Sequence, residues 1–273
     1  MRKLLSNQLK KLNWPGAQRA QERLINHTNG RFNLHAALLR HFEPVQDVGA
    51  LDAEYAPVEV RRLDAAQCTI FAFGGMAHAF TMPVREFFGV LSVTPSNVLF
   101  IKDFHQAWYQ KGLLGTTTSR AETIAFLEAR FSDMPRPWIF TGSSAGGHAA
   151  IHFGQAMGAD RVVAFGPQSY VDAEVWRRDR PDVAPEVDFD FADPELDLAH
   201  TLAAAKDGGN CHIHFGEQNQ WDQSHAERLA GLPGVTLHTH ATEVHAIARF
   251  LRKRDALTPA IFGDTVPVAS AAV

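Results

Sequence analysis

The sequence predicts an α/β fold: a mostly parallel sheet flanked by helices, interrupted by a cap insertion. Three observations carry this reading. Strand-like apolar runs alternate with segments of helical spacing from about residue 66 onward, the pattern of βαβ units. One of those runs ends on a serine set between glycines. The 273 residues are 45% hydrophobic, enough to bury a large core.

Taken in order, "QCTIFAFGG" (67–75) reads as a buried strand ending on two glycines, and "MPVREFFGVL" (82–91) as a short helix. "SNVLFIKD" (96–103) is the next strand, and "SRAETIAFLEARF" (119–131) carries apolar residues at helical spacing. "RPWIFTG" (136–142) leads into the serine turn, and "GGHAAIHFGQAMG" (146–158) is the helix that leaves it. "DRVVAFGP" (160–167) is a strand. The alternation then breaks down between about 171 and 205, where proline and charge dominate. A long irregular segment within a compact alternation marks a functional cap or loop. "GNCHIHFGE" (209–217), "DQSHAERLAGL" (222–232), "GVTLHTH" (234–240) and "VHAIARFLRKR" (244–254) complete the pattern as strand, helix, strand, helix.

The first 65 residues suggest a basic N-terminal helix, a second helix around "NLHAALLRHF" and an edge strand at "APVEVRRL" (56–63), forming either an appendage or the first strands of the same sheet. The expected organisation is a helical extension over 1–55, the α/β domain over 56–255 and a flexible tail over 256–273. A formal net charge of −4 without a basic block argues against nucleic acid or an anionic membrane as partner. It leaves a small molecule or a polar polymer as substrate, and an oligomer is compatible with it. Cys68 and Cys211 each sit in an apolar run and read as small buried thiols. The start lacks the apolar stretch of a signal peptide, and no run approaches the ~20 apolar residues of a membrane helix. The expected location is cytoplasmic.

The stretch "WIFTGSSAGGHAAIHFG" (138–154) offers two adjacent serines. A sharp strand-to-helix turn needs small residues two positions before and after the serine it presents. Ser144 has Gly142 and Gly146 there, whereas Ser143 has Thr141 and Ala145, so Ser144 is the candidate nucleophile. A serine hydroxyl needs a general base, and in a parallel sheet the base must come from a loop at the carboxyl edge. Among 14 histidines, His245 meets that condition, following the last strand through a short loop. His200 and His225 lie inside helices, and His148 and His152 lie on the helix after the turn. The orienting acid is expected after the preceding strand, with Asp222 first and Glu217 next. Asp172, one strand earlier, is the third option. Asp222 could instead be a helix N-cap. The oxyanion would be held by the N–H of Ala145 and by that of Gly75 or Met76. Lys102 and Asp103 end a strand at the same edge beside Trp108 and Tyr109, and the group suits a sugar or another polar ring, or simply packs a loop.

Ser144 in G-x-S-x-G after a strand, a glycine pair after an earlier strand, and a late acid before a last histidine resemble the α/β-hydrolase superfamily over residues 56 to 255. The resemblance implies a Ser-His-Asp acyl-enzyme mechanism without a cofactor, and a cap at 171–205. The usual acid position, about three residues after the strand's glycine, holds Asn219 here. "FIKDFHQAWYQKGL" and "SSAGG" also resemble serine hydrolase-like proteins encoded with bacterial polysaccharide assembly and glycoprotein export systems, implying a carbohydrate ester as substrate. Nothing suggests a deep pocket for a peptide side chain, which favours esters over amides.

Two rival readings follow from the same residues. His212/His214 and His238/His240 form two H-x-H pairs on neighbouring strands, which could converge on zinc or copper. Asn219 at the acid position is compatible with a hydrolase-like scaffold that binds a glycan or a partner protein without turnover.

Overall fold

The computed structural model describes residues 43–49, 55–182, 184–204 and 210–266. Their strands are β1 (Val45–Asp47), β2 (Val58–Arg61), β3 (Cys68–Phe73), β4 (Ser96–Ile101), β5 (Trp138–Ser143), β6 (Arg161–Phe165), β7 (Cys211–Gly216) and β8 (Val235–His240). They form one sheet in the order β1-β2-β4-β3-β5-β6-β7-β8. β2 runs antiparallel to β4, and every other neighbouring pair is parallel. The helices are α1 (Val84–Leu91), α2 (Arg120–Phe131), α3 (Ala145–Ala156), α4 (Ala173–Asp179), α5 (Leu198–Ala203), α6 (Gln220–Glu227), α7 (Ile247–Arg252) and α8 (Leu257–Phe262).

The apolar runs lack polar alternation because both faces of the sheet are covered. Phe71 and Phe73 of β3 point into one core layer with Leu99, Phe140 and Phe153. Cys68, Ile70 and Ala72 of the same strand point into the other, with Phe87, Phe100 and Phe262. Both cysteines are fully buried, Cys68 in the second layer and Cys211 in the first. Burial pushes their thiol pKa values up to about 11 and about 12. α3 is buried from Ala145 to Gly154, because it crosses between the sheet and the inserted segment.

The domain is wider than the sequence suggests. β1 pairs with β2 and extends the sheet into the stretch assigned to the extension over 1–55, in line with the alternative that this region supplies the first strands of the same sheet. At the other end, 256–266 is not a loose tail: α8 buries Leu257, Ile261 and Phe262 against the second layer. The guanidinium of Arg161 on β6 donates to the carbonyls of Ile261 (3.1 Å) and Ala260 (3.2 Å). Those carbonyls lie in the last turn of α8 and lack helical partners, the position that arginine stabilises. Residues 1–42 and 267–273, with the helices expected near the start, lie outside the described residues. The 171–205 insertion contains α4, a short 3-10 turn (Pro194–Leu196) and α5.

Candidate active site

The chain turns from β5 into α3 at a single residue, Ser144, with φ 57° and ψ −124°. A side chain strains that conformation, so surrounding contacts must impose it. A Cβ on Gly142 would lie 2.1 Å from the Gly146 carbonyl oxygen, and one on Gly146 would lie 2.1 Å from the Phe73 carbonyl oxygen on β3. The glycines thus allow the helix to seat directly on the neighbouring strands. Ser144 is left half-buried at the carboxyl edge. Ser143 faces inward on β5, buried, with no partner for its hydroxyl among the described residues.

α6 and the loop after β8 bring a carboxylate and an imidazole together. Asn219 caps α6, its side chain accepting from the Asp222 N–H (3.1 Å) and donating to the Glu243 carbonyl (3.0 Å). With the cap supplied by Asn219, the buried Asp222 carboxylate is free to face His245, and its Oδ1 accepts from His245 Nδ1 at 2.7 Å. Gly166, at φ 54°, lies beneath the pair, where a Cβ would sit 3.3 Å from His245 Nδ1 and 3.4 Å from Asp222 Oδ2. The Phe165 carbonyl accepts from the Ser144 N–H at 2.9 Å, so Ser144 and His245 both pack against the Phe165–Gly166 segment. Burial is the strongest influence on His245 and lowers its pKa. The hydrogen bond and charge of Asp222, joined by Asp179, outweigh it and hold the pKa above the ordinary histidine value. Of the other acids, Asp172 caps α4 through the Glu174 and Val175 N–H groups, and Glu217 is exposed.

Two residues that the sequence reading missed complete the site. Gln168 Nε2 donates to Ser144 Oγ (3.0 Å) and to Asp179 Oδ2 (2.8 Å), while Gln168 Oε1 accepts from the Trp108 indole (3.3 Å). An indole can only donate, which fixes the orientation of the amide. Among the described residues no hydrogen bond joins Ser144 to His245; in resting sites such contacts are commonly long and tighten around substrate. His148 and His225 hold the Gln168 loop from behind. His148 Nδ1 lies 2.9 Å from the Gln168 carbonyl, and His225 Nδ1 lies 3.1 Å from the Ser169 N–H. Burial lowers their pKa values to about 3 and about 4. Gln168 follows β6 at the carboxyl edge, so the position filter applied to histidines would have found it. Asp179 belongs to the insertion and carries no such signal.

The candidate oxyanion donors separate. The Gly75 N–H is committed to the Ala79 carbonyl (3.0 Å), which corrects the expectation that it faces the substrate. The Gly75 carbonyl accepts from the His78 N–H (2.8 Å). Across the same trans peptide, the Met76 N–H must point the opposite way, out of that turn. The Ala145 N–H, first in α3, has no intrahelical acceptor.

The polar-ring site expected at 102–109 is not there. Lys102 is buried and paired with Glu59. Asp103 accepts from the N–H groups of His105, Ala107 and Tyr109. Tyr109 donates to the Gly74 and Ile101 carbonyls. All three hold a loop rather than meet a ligand; Trp108 contributes by fixing Gln168.

The four strand histidines do converge, as a stack. His214 lies between His238 (centroids 4.3 Å apart) and His240 (5.4 Å), and His212 Nδ1 approaches His238 Nε2 at 2.9 Å. Among the described residues no group of three or more His, Cys, Asp or Glu side chains is disposed to hold a metal ion.

The sheet order, the single antiparallel strand β2 and the serine at the β5–α3 turn can be compared with solved structures. A capsule O-acetyltransferase of Neisseria meningitidis serogroup A superposes with a TM-score of 0.52 at 17% identity, over 74% of this chain and 91% of that one. The chain has the α/β-hydrolase fold. A hydrolase from Pseudomonas aeruginosa is similar to this chain with a TM-score of 0.51 at 15% identity (76% and 93% covered). A protein of unknown function from Staphylococcus aureus reaches 0.52 at 12% identity (75% and 94%). No protein-family model and no curated protein matches the sequence. Among the described residues of this α/β-hydrolase fold, no helix is long and apolar enough to cross a membrane.

Proposed function

We propose that this protein is a serine-dependent ester hydrolase or acyltransferase acting on short acyl groups. The observation that carries the reading is the pairing of a strained, half-exposed Ser144 with an imidazole held by a buried carboxylate across the Phe165–Gly166 segment. Ser144 Oγ attacks the ester carbonyl carbon while His245 Nε2 takes the hydroxyl proton. Asp222 holds the Nδ1–H tautomer and stabilises the imidazolium. The N–H groups of Ala145 and Met76 receive the developing oxyanion. His245 returns the proton to the departing alcohol, and water or a second alcohol then attacks the acyl-serine carbonyl. The Gln168 hydrogen bond occupies one lone pair of Ser144 Oγ and leaves the other for attack.

The space beside Ala145 is filled by Trp108, Val171, Val175 and Leu196. This supports an acyl group of few carbons, so kcat/KM on p-nitrophenyl esters is expected to fall from acetate to octanoate. The similarity to a capsule O-acetyltransferase fits acetyl transfer to or from a carbohydrate, in keeping with the likeness of the "SSAGG" region. The second reading, a binding protein without turnover, is favoured by the Ser144–Gln168 hydrogen bond in place of one to His245.

Labelling with a fluorophosphonate probe separates the two. Wild type and Ser143→Ala are expected to react, and Ser144→Ala and His245→Ala not to react. An unlabelled wild type that also leaves p-nitrophenyl acetate intact would establish the binding-protein reading.

A further inference from the structure

The two sides of the candidate site differ in chemistry. Beside the packed apolar side, against which Trp221 also packs, a cleft of about 520 Å³ opens along α6. It is lined by Arg178, Trp221 and Glu243, by the side-chain amides at 218–220 and by the Ser224 hydroxyl. The lining is close in sequence to three members of the site: Trp221 precedes Asp222, Glu243 lies two residues before His245, and Arg178 precedes Asp179. The Arg178 guanidinium lies 4.0 Å over the Trp221 ring, which makes the wall a flat, polar surface.

Asp179 connects with both this cleft and Ser144: it follows Arg178 of the cleft lining in the chain, and Gln168 links it to Ser144. Its side chain is 17% exposed, at the end of α4. Oδ2 takes one N–H from Gln168 (2.8 Å), the same amide that reaches Ser144 Oγ, while Oδ1 meets Arg178 Nε only at 3.7 Å. An ionised carboxylate offers about four acceptor positions. This one therefore has unused acceptor capacity two hydrogen bonds away from the candidate nucleophile, through Gln168, and burial pushes its pKa up because too few donors compensate its charge.

We infer that Asp179 and the adjoining cleft seat the alcohol part of the ester through its free hydroxyl groups, so that the alcohol is a polyol of the size of a sugar. Hydroxyls donate to Asp179 and Glu243 and accept from Arg178 and the amides. An apolar alcohol would leave these groups unpaired, and an anionic one would meet two carboxylates. The same cleft serves a departing alcohol in hydrolysis and an attacking one in transfer. The inference rests on the ester-cleaving reading above.

The test is a specificity ratio: kcat/KM for a monoacetylated glucose divided by kcat/KM for p-nitrophenyl acetate. Both esters give the same acetyl-serine, so the ratio reports recognition of the alcohol and is insensitive to the fraction of active enzyme. Asp179→Asn keeps the acceptor for Gln168 but loses the charge, and the ratio is expected to fall about tenfold, the effect of one charge-assisted hydrogen bond. Glu243→Gln, at an exposed position where folding is not at stake, is expected to lower it about threefold by the weaker bond at a wetter site. A ratio unchanged in both variants would overturn the inference while leaving the hydrolase reading intact, as would a wild type that cleaves p-nitrophenyl acetate but not the sugar ester. A wild type that cleaves neither ester overturns both.

Discussion

His245 and the stacked histidines of β7 and β8 are the same residue type on adjoining segments of chain, yet their surroundings drive them in opposite directions. His245 faces a buried carboxylate at 2.7 Å and keeps a raised pKa. His212 and His214 face other imidazoles and the Arg161 guanidinium, and burial above all lowers their pKa values to about 4 and about 2. The difference teaches that abundance of imidazole says little about chemistry. A histidine becomes a base when an anion holds one nitrogen and solvent or substrate reaches the other; four of them together merely stack as neutral rings.

The comparison is broken most directly by mutation. His245→Ala is expected to lower kcat for p-nitrophenyl acetate by at least about 10³-fold, as loss of a catalytic base does. His238→Ala, a half-buried member of the stack, should leave kcat within about twofold and lower stability by about 1 kcal/mol. Similar losses of kcat in the two variants would show that the stack contributes to the chemistry.

Next in size is the dependence of stability on acid. His148, His152, His214 and His225 are buried, and their pKa values fall to about 3, 3, 2 and 4, chiefly through burial. Around His214 the other groups are His212, His238, His240 and Arg161, none of which is an anion. The unfolded chain binds protons below about pH 6.5 while the folded one does not. The stability these groups contribute is therefore complete above about pH 6.5 and is lost as the pH falls toward their folded values. Differential scanning calorimetry should give a Tm at pH 5.5 roughly 10 °C below that at pH 7.5. An invariant Tm would show that the imidazoles are solvated in the folded state.

The finest test is the pH–rate profile. Because the anions around His245 hold its pKa up, the acid limb of kcat/KM for p-nitrophenyl acetate should have its midpoint above 6.5 in wild type, and Asp179→Asn should move it down. A midpoint that does not move would remove Asp179 from the electrostatics of the base.

The parallel sheet and its turn were readable in the sequence because each depends on local chemistry. The apolar runs are continuous where both faces are covered, and Gly142 and Gly146 are needed for a backbone approach that any Cβ would block. The candidates were legible on two grounds: Ser144 by its glycine spacing, and His245 and Asp222 by asking which residues follow strands at one edge. The meaning of Asn219 was not readable: it is the cap that leaves Asp222 free, a division of roles that appears only once α6 is seen to begin at Gln220. Lys102, Asp103 and Tyr109 misled because a polar residue at a strand end looks the same whether it meets a ligand or a buried backbone group. Asp179 ends α4, a short helix inside an insertion whose path follows from long-range packing, so periodicity gives no hold on it.

The two cysteines give this protein an internal record of its own opening. Cys68 and Cys211 lie in opposite layers of the core, sealed from solvent and far from ionisation at neutral pH. A thiol-alkylating reagent reaches either only after the covering helices lift, since it is the ionised, accessible thiolate that reacts. Pulsed alkylation read by mass spectrometry would then show whether the two faces of the sheet come apart in one cooperative event, with doubly labelled molecules from the start, or whether one face peels away first.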